Sequence, residues 1–181
     1  MDERTVLVLL GIATVAATFA GFSGVVAVFG SRARGEWFLE DRFRLTNMLV
    51  TSLGAGLYAF IPLIEAYLHL HGPTLWTIAS LAMFVYCVAF IMATLPHWWH
   101  LITKHPGVLS VPASYIVYLS ASLAAVLQLL NAASLLFHRE PGPYILGLVL
   151  LLIIAALQFA LMVLRPLTAH RRSHSGEEKE A

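Results

Sequence analysis

The segment IPLIEAYLHLHG, residues 61–72, places one carboxylate, Glu65, and two imidazoles, His69 and His71, at the end of a long apolar run. A carboxyl group taken out of water favours its neutral form unless a cation or several donors compensate it. A glutamate in such a run is therefore suited to carry a proton, coordinate a cation or anchor a basic group. Stepping by three or four residues, Asn47, Thr51, Gly54, Tyr58, Pro62, Glu65 and His69 share one helical face at about 100° per residue. This polar stripe is expected to avoid lipid and to face other helices or a wet cavity. Pro62 frees a backbone carbonyl, which can kink the helix or serve as an oxygen ligand. In the fourth apolar run, Gln128, Asn131 and Ser134 lie at matching depth and are expected to hydrogen-bond Glu65. The candidates for a proton or small-solute path are thus Glu65, His69, Tyr58, Gln128 and Asn131. The plainer alternatives are a solvated Glu65 or a static Glu65–His69 pair.

Two histidine groups raise the question of metal. Glu65, His69, His71, His138 and Glu140 fall at one end of the expected bundle, and three or four of them suit one zinc or copper ion. The spacing of His69 and His71 is loose for a single helix, so these remain weak candidates. At the other end, PHWWHLITKHP contributes His97, His100 and His105, and HRRSH contributes His170 and His174. This superficially resembles the histidine boxes of membrane desaturases and hydroxylases, but there is no adjacent His-His pair and only five histidines lie on that face. Trp98 and Trp99 beside Pro96 read as an interfacial aromatic belt. The lone Cys87 allows neither an intrachain disulfide nor a cysteine zinc cluster. No metalloprotease helix, nucleophile elbow or glycine-rich phosphate loop is present. No catalytic residue and no cofactor are expected.

The elements that must position these groups follow from composition. The 181 residues are 59% hydrophobic and 12% charged, against about 45–50% and about 25% in soluble domains. A hydrocarbon core about 30 Å thick needs about 20 apolar residues of helix. Five runs qualify, about 5–29, 46–70, 74–95, 110–137 and 143–165. Gly72-Pro73, Pro96, Pro106-Gly107 and Pro141-Gly142-Pro143 are expected to separate them. The fold class expected is an all-α bundle of five transmembrane helices, with residues 166–181 as a disordered cytoplasmic tail.

Of the 11 lysines and arginines, only Arg4 and Arg139 fall on one side of this arrangement. The asymmetry predicts an outside N-terminus and a cytoplasmic C-terminus. The leader MDER is not net basic and cleavage would export an arginine-rich segment, both of which argue against a secretory signal. The connection GSRARGEWFLEDRFRLTN is expected to form a short interfacial helix feeding the second span, or a surface for a cytoplasmic partner. A net charge of +1, without basic runs interleaved with aromatics, excludes a nucleic-acid surface.

Packing signals lie mainly in the first span. Ala13, Ala17, Gly21 and Ala16, Ala20, Gly24 form two small-residue stripes, which place that span centrally or at a seam with other chains. The fifth span, bulky and apolar nearly all round, is expected to face lipid. Partners are the bilayer and either further copies of the chain or other membrane subunits. The stretch TFAGFSGVVAVFG, then a tryptophan, then DRFRLTNMLVTSLGA resembles a family of small bacterial integral membrane proteins without a known activity. This likeness covers the first third of the chain and implies the bacterial cytoplasmic membrane.

Overall fold

A computed structural model describes residues 1–34, 39–69, 72–104 and 110–177, with side chains placed outside 29–40 and 164–177. Five helices follow in chain order, α1 Glu3–Arg34, α2 Leu39–Tyr67, α3 Pro73–Lys104, α4 Val111–Ala132 and α5 Pro141–Glu177. Among the described residues there is no strand. Each helix contains a stretch of 22 to 32 residues that is long and apolar enough to cross a membrane. At 1.5 Å per residue the shortest spans about 33 Å. The all-α, five-span architecture expected from hydropathy is the one observed, and the chain has the make-up of a multi-pass membrane protein.

The helix boundaries follow from local chemistry, with some departures from the expected ones. Asp2 caps α1 by accepting a 3.3 Å hydrogen bond from the Thr5 N–H, and hydrogen bonding with Thr5 holds its carboxyl below the ordinary aspartate value. The charged segment from Leu39 does not form a separate interfacial helix; it is the first turn of α2 itself. Pro96 does not end the third span, because α3 continues through it to Lys104. A proline removes one helical donor, and side chains often take up carbonyls around such a site in membrane helices. Here Thr94 donates to the Phe90 carbonyl at 2.8 Å and His97 Nδ1 lies 3.2 Å from the Ala93 carbonyl. α5 likewise runs past residue 165 and through Pro166 to Glu177, into the polar stretch where composition predicts an irregular tail. Residues 178–181 lie outside the described residues.

The helices pack as a ring in the order α2, α5, α4, α3, with α1 against the outside of α2 and α5. α5 touches all four other helices. It supplies Tyr144, Leu148, Leu151, Ile154 and Ala155 to the core, each fully buried, while Leu146, Ile153 and Val163 stay exposed, so one face packs inward and another is open to lipid. Its bulk is what the centre requires, since four neighbours must be filled against at near-crystalline density. α1, in contrast, is peripheral. Ala13 and Ala16 are buried, and Ala16 approaches α2 where Gly56 leaves room for it. Ala17, Gly21 and Gly24 turn outward, and a Cβ added at Gly21 or Gly24 would meet nothing within 4 Å.

Gly21→Leu is accordingly expected to change thermal stability by no more than about 0.5 kcal/mol in dilute detergent. Mass measurement by light scattering on the same sample reads assembly separately. A drop in oligomer mass at unchanged stability would place Gly21 in a seam between chains, and an unchanged mass would leave it facing lipid.

Candidate functional site

The polar stripe of α2 does point inward. Asn47, Thr51 and Glu65 are buried, Glu65 to 7% exposure, and Tyr58 is half-buried. Most of the stripe is occupied with its own helix. Thr51 donates to the Asn47 carbonyl at 2.8 Å, and the neighbouring Ser52 donates to that of Met48. These hydroxyls satisfy backbone carbonyls and leave little polar surface for a solute.

Three tyrosines fill the middle of the stripe. Pro62 has no N–H, so the Tyr58 carbonyl four residues earlier loses its helical donor. The Tyr144 hydroxyl of α5 takes that place, donating to Tyr58 O at 2.6 Å. The Tyr58 ring lies 4.9 Å from that of Tyr86 on α3, and Tyr86 donates to the Val50 carbonyl at 2.7 Å. Tyr86 reaches α2 because position 54 is glycine; a Cβ there would overlap the Tyr86 hydroxyl and ring. Glu65 closes the column, close enough to Tyr144 to act on it electrostatically. Its Oε2 has no hydrogen-bond partner among the described residues.

Toward the other end, α2 and α3 meet less extensively than the other neighbours in the ring and leave a cleft of about 870 Å³. Arg42, His97 and His100 line it together with Thr46, Asn47 and Thr94, over a wall that includes Phe43, Val50, Phe90 and Ala93. Val50 both lines the cleft and accepts the Tyr86 hydrogen bond, so Tyr86 is bonded to a backbone carbonyl of the cleft wall. From Val50 to Glu65 the helix rises about 22 Å. The contacts of Tyr86, Tyr58 and Tyr144 lie along α2 between the cleft and the carboxyl.

The remaining predicted residues are placed elsewhere. Gln128 and Asn131, both fully buried, do not meet Glu65, because α5 stands between α4 and α2, which make no contact. Gln128 Nε2 donates to the Pro143 carbonyl at 2.9 Å. Asn131 Nδ2 donates to Ser80 Oγ at 2.9 Å and to the Glu140 carbonyl at 3.1 Å, while the Glu140 N–H donates back to Asn131 Oδ1. The two amides clamp the end of α4 to the start of α5. His69 lies beyond the end of α2 with φ 65° and is exposed. It caps the helix in the left-handed region, its N–H 3.1 Å from the Ala66 carbonyl, instead of standing one turn above Glu65.

His71 lies outside the described residues. His138 and Glu140 are exposed in the α4–α5 connection, and among the described residues no three histidine, cysteine or carboxylate side chains are grouped to hold a metal. Comparison with protein-family models, curated proteins and solved structures returns no match. The function must be argued from the site itself.

Residues that sequence reasoning passed over are Tyr86, Tyr144 and Arg42, and it weighed His97 and His100 only as members of a histidine box. Pro62 carried a usable signal, since the Tyr58 carbonyl it frees must find a donor from another helix. Nothing in one sequence says that the donor is 86 residues away.

Proposed function

We propose that this chain is a multi-pass protein of the bacterial cytoplasmic membrane forming a closed small-solute or proton pathway, with Glu65 as its titratable group and the cleft as its opposite mouth. The observation that carries this reading is the column from Tyr86, bonded to the cleft wall at Val50, through Tyr58 and Tyr144 to the unpartnered Glu65 oxygen. Two of its contacts are single hydroxyl hydrogen bonds, each worth about 1 kcal/mol net. The excess of basic residues at the cleft end supports a cytoplasmic position for that end and an outside N-terminus.

A second reading, an accessory subunit that binds further copies or other membrane proteins, is favoured by the outward small residues Ala17, Gly21 and Gly24. Flux from liposomes holding purified protein separates the two. The pathway reading expects proton or small-ion movement under an imposed potential that falls several-fold in Glu65→Gln. No flux in either protein, over several ions and pH values, supports the accessory reading.

A further inference from the structure

The cleft between α2 and α3 is graded in a way the pathway does not require. Its rim is basic, with Arg42 in the first turn of α2 and His100 near the end of α3. Deeper on the same walls come Thr46 and His97, and at the floor Val50, Phe90 and Ala93. Among the described residues no carboxylate lines it. Asp41, the acidic neighbour of Arg42, is buried and its charge acts on Arg44.

From Arg42 to Val50 the helix rises about 12 Å, and from Leu101 to Phe90 about 16 Å. One leaflet of hydrocarbon is about 15 Å deep. The cleft is also open sideways, since Thr46, Val50, Ala93 and Pro96 are exposed along it, which leaves a way in from the bilayer. A basic rim, one leaflet of apolar depth and lateral access together match an acidic lipid. A soluble anion has no use for the apolar floor, and a zwitterionic lipid places a second cation against Arg42.

We propose that this cleft binds one anionic phospholipid, its phosphate at Arg42 and its acyl chain over Phe90 and Ala93. His97 adds to the headgroup side. Its Nδ1 lies 3.2 Å from the Ala93 carbonyl, a contact in which Nδ1–H donates, so that Nε2 remains for a polar group of the lipid. The volume of about 870 Å³ lies within the range of about 300–1,000 Å³ usual for small-molecule sites. The inference does not rest on conduction, and a lipid seated here would occlude the mouth proposed above until it is displaced.

The test is native mass spectrometry of the purified full-length protein released from mixed micelles of phosphatidylglycerol and phosphatidylcholine. One phosphatidylglycerol per chain is expected to be retained, with a preference over phosphatidylcholine of about tenfold, the lower end of what a charge-assisted hydrogen bond supplies. Arg42→Gln should abolish the preference, and Ala93→Trp, which fills the floor and keeps Arg42, should abolish retention. Arg4→Gln at the opposite end should do neither, with thermal stability checked for each variant. Equal retention of both lipids by the unmodified protein, or unchanged preference in Arg42→Gln, would overturn the proposal. Displacement by millimolar glycerol phosphate would also overturn it, by showing that the ligand is a soluble anion.

Discussion

Substituting Tyr86 by alanine is expected to raise the rate at which a small thiol reagent labels Cys87 by about ten- to a hundredfold. Cys87 is the one cysteine of the chain and is fully buried. It lies in the main core within electrostatic reach of Tyr58, Tyr86 and Tyr144. Removing the Tyr86 side chain deletes its hydrogen bond to Val50 and its ring contact with Tyr58. A hydrogen bond of about 0.5–1.5 kcal/mol and an aromatic pair of similar worth amount to about 1–3 kcal/mol of lost closure, and each 1.4 kcal/mol is about tenfold in the open population. Tyr86→Phe retains the ring and should give a rise of only a few-fold. Circular dichroism and gel filtration of both variants guard against exposure by unfolding. Unchanged labelling in folded Tyr86→Ala would mean that Tyr86 is not the barrier between the cleft and the interior, and the gating part of the proposed function would fall with it.

Tyr144→Phe is expected to lower the unfolding midpoint by about 3–10 °C. The hydroxyl sits in the core and serves a carbonyl that Pro62 leaves without its helical donor. Leaving a buried acceptor unpaired costs about 1–3 kcal/mol, and 1 kcal/mol moves the midpoint of a chain this size by about 2–4 °C. The cause can be isolated by a double-mutant cycle. Pro62→Ala restores an N–H within reach of the Tyr58 carbonyl, so Tyr144→Phe in that background should lose most of its effect. The coupling between the two substitutions is then about 1 kcal/mol or more. Strict additivity would show that the hydroxyl does not compensate the proline and that the cost lies in packing alone.

Both predictions rest on contacts between helices, whereas the helices themselves were legible in advance. Apolar runs of 20 residues or more have no other stable form in lipid, because every backbone N–H and C=O must be satisfied within the segment. Pro96 was a poorer guide to a boundary, since a proline costs one donor and a continuing helix can absorb that loss in a membrane. The inward face of α2 was equally readable, as Asn47, Thr51 and Glu65 at helical spacing cannot all face hydrocarbon without large cost. Depth matching of Gln128 and Asn131 with Glu65 was sound as to depth and did not resolve neighbours. Two helices at the same height need not touch, and here α5 lies between them.

The bulk of α5 illustrates the same limit. Continuous apolarity serves a helix surrounded by lipid and a helix surrounded by other helices equally well, because lipid tails are as apolar as leucine. Only packing distinguishes them, and packing places Tyr144, Leu148 and Ile154 at the centre. By itself, then, the sequence determined that this chain forms five membrane-length helices, that one carries a polar face, and that Pro62 leaves one carbonyl wanting a donor. The tertiary structure alone decided that Tyr144 supplies it, that Tyr86 closes against Gly54, and that α2 and α3 part beside Arg42 and His97 to leave a cleft. Hydropathy and backbone satisfaction are properties of each segment taken singly. Which side chains meet across the bundle depends on the order of helices around the ring, and no local pattern encodes that order.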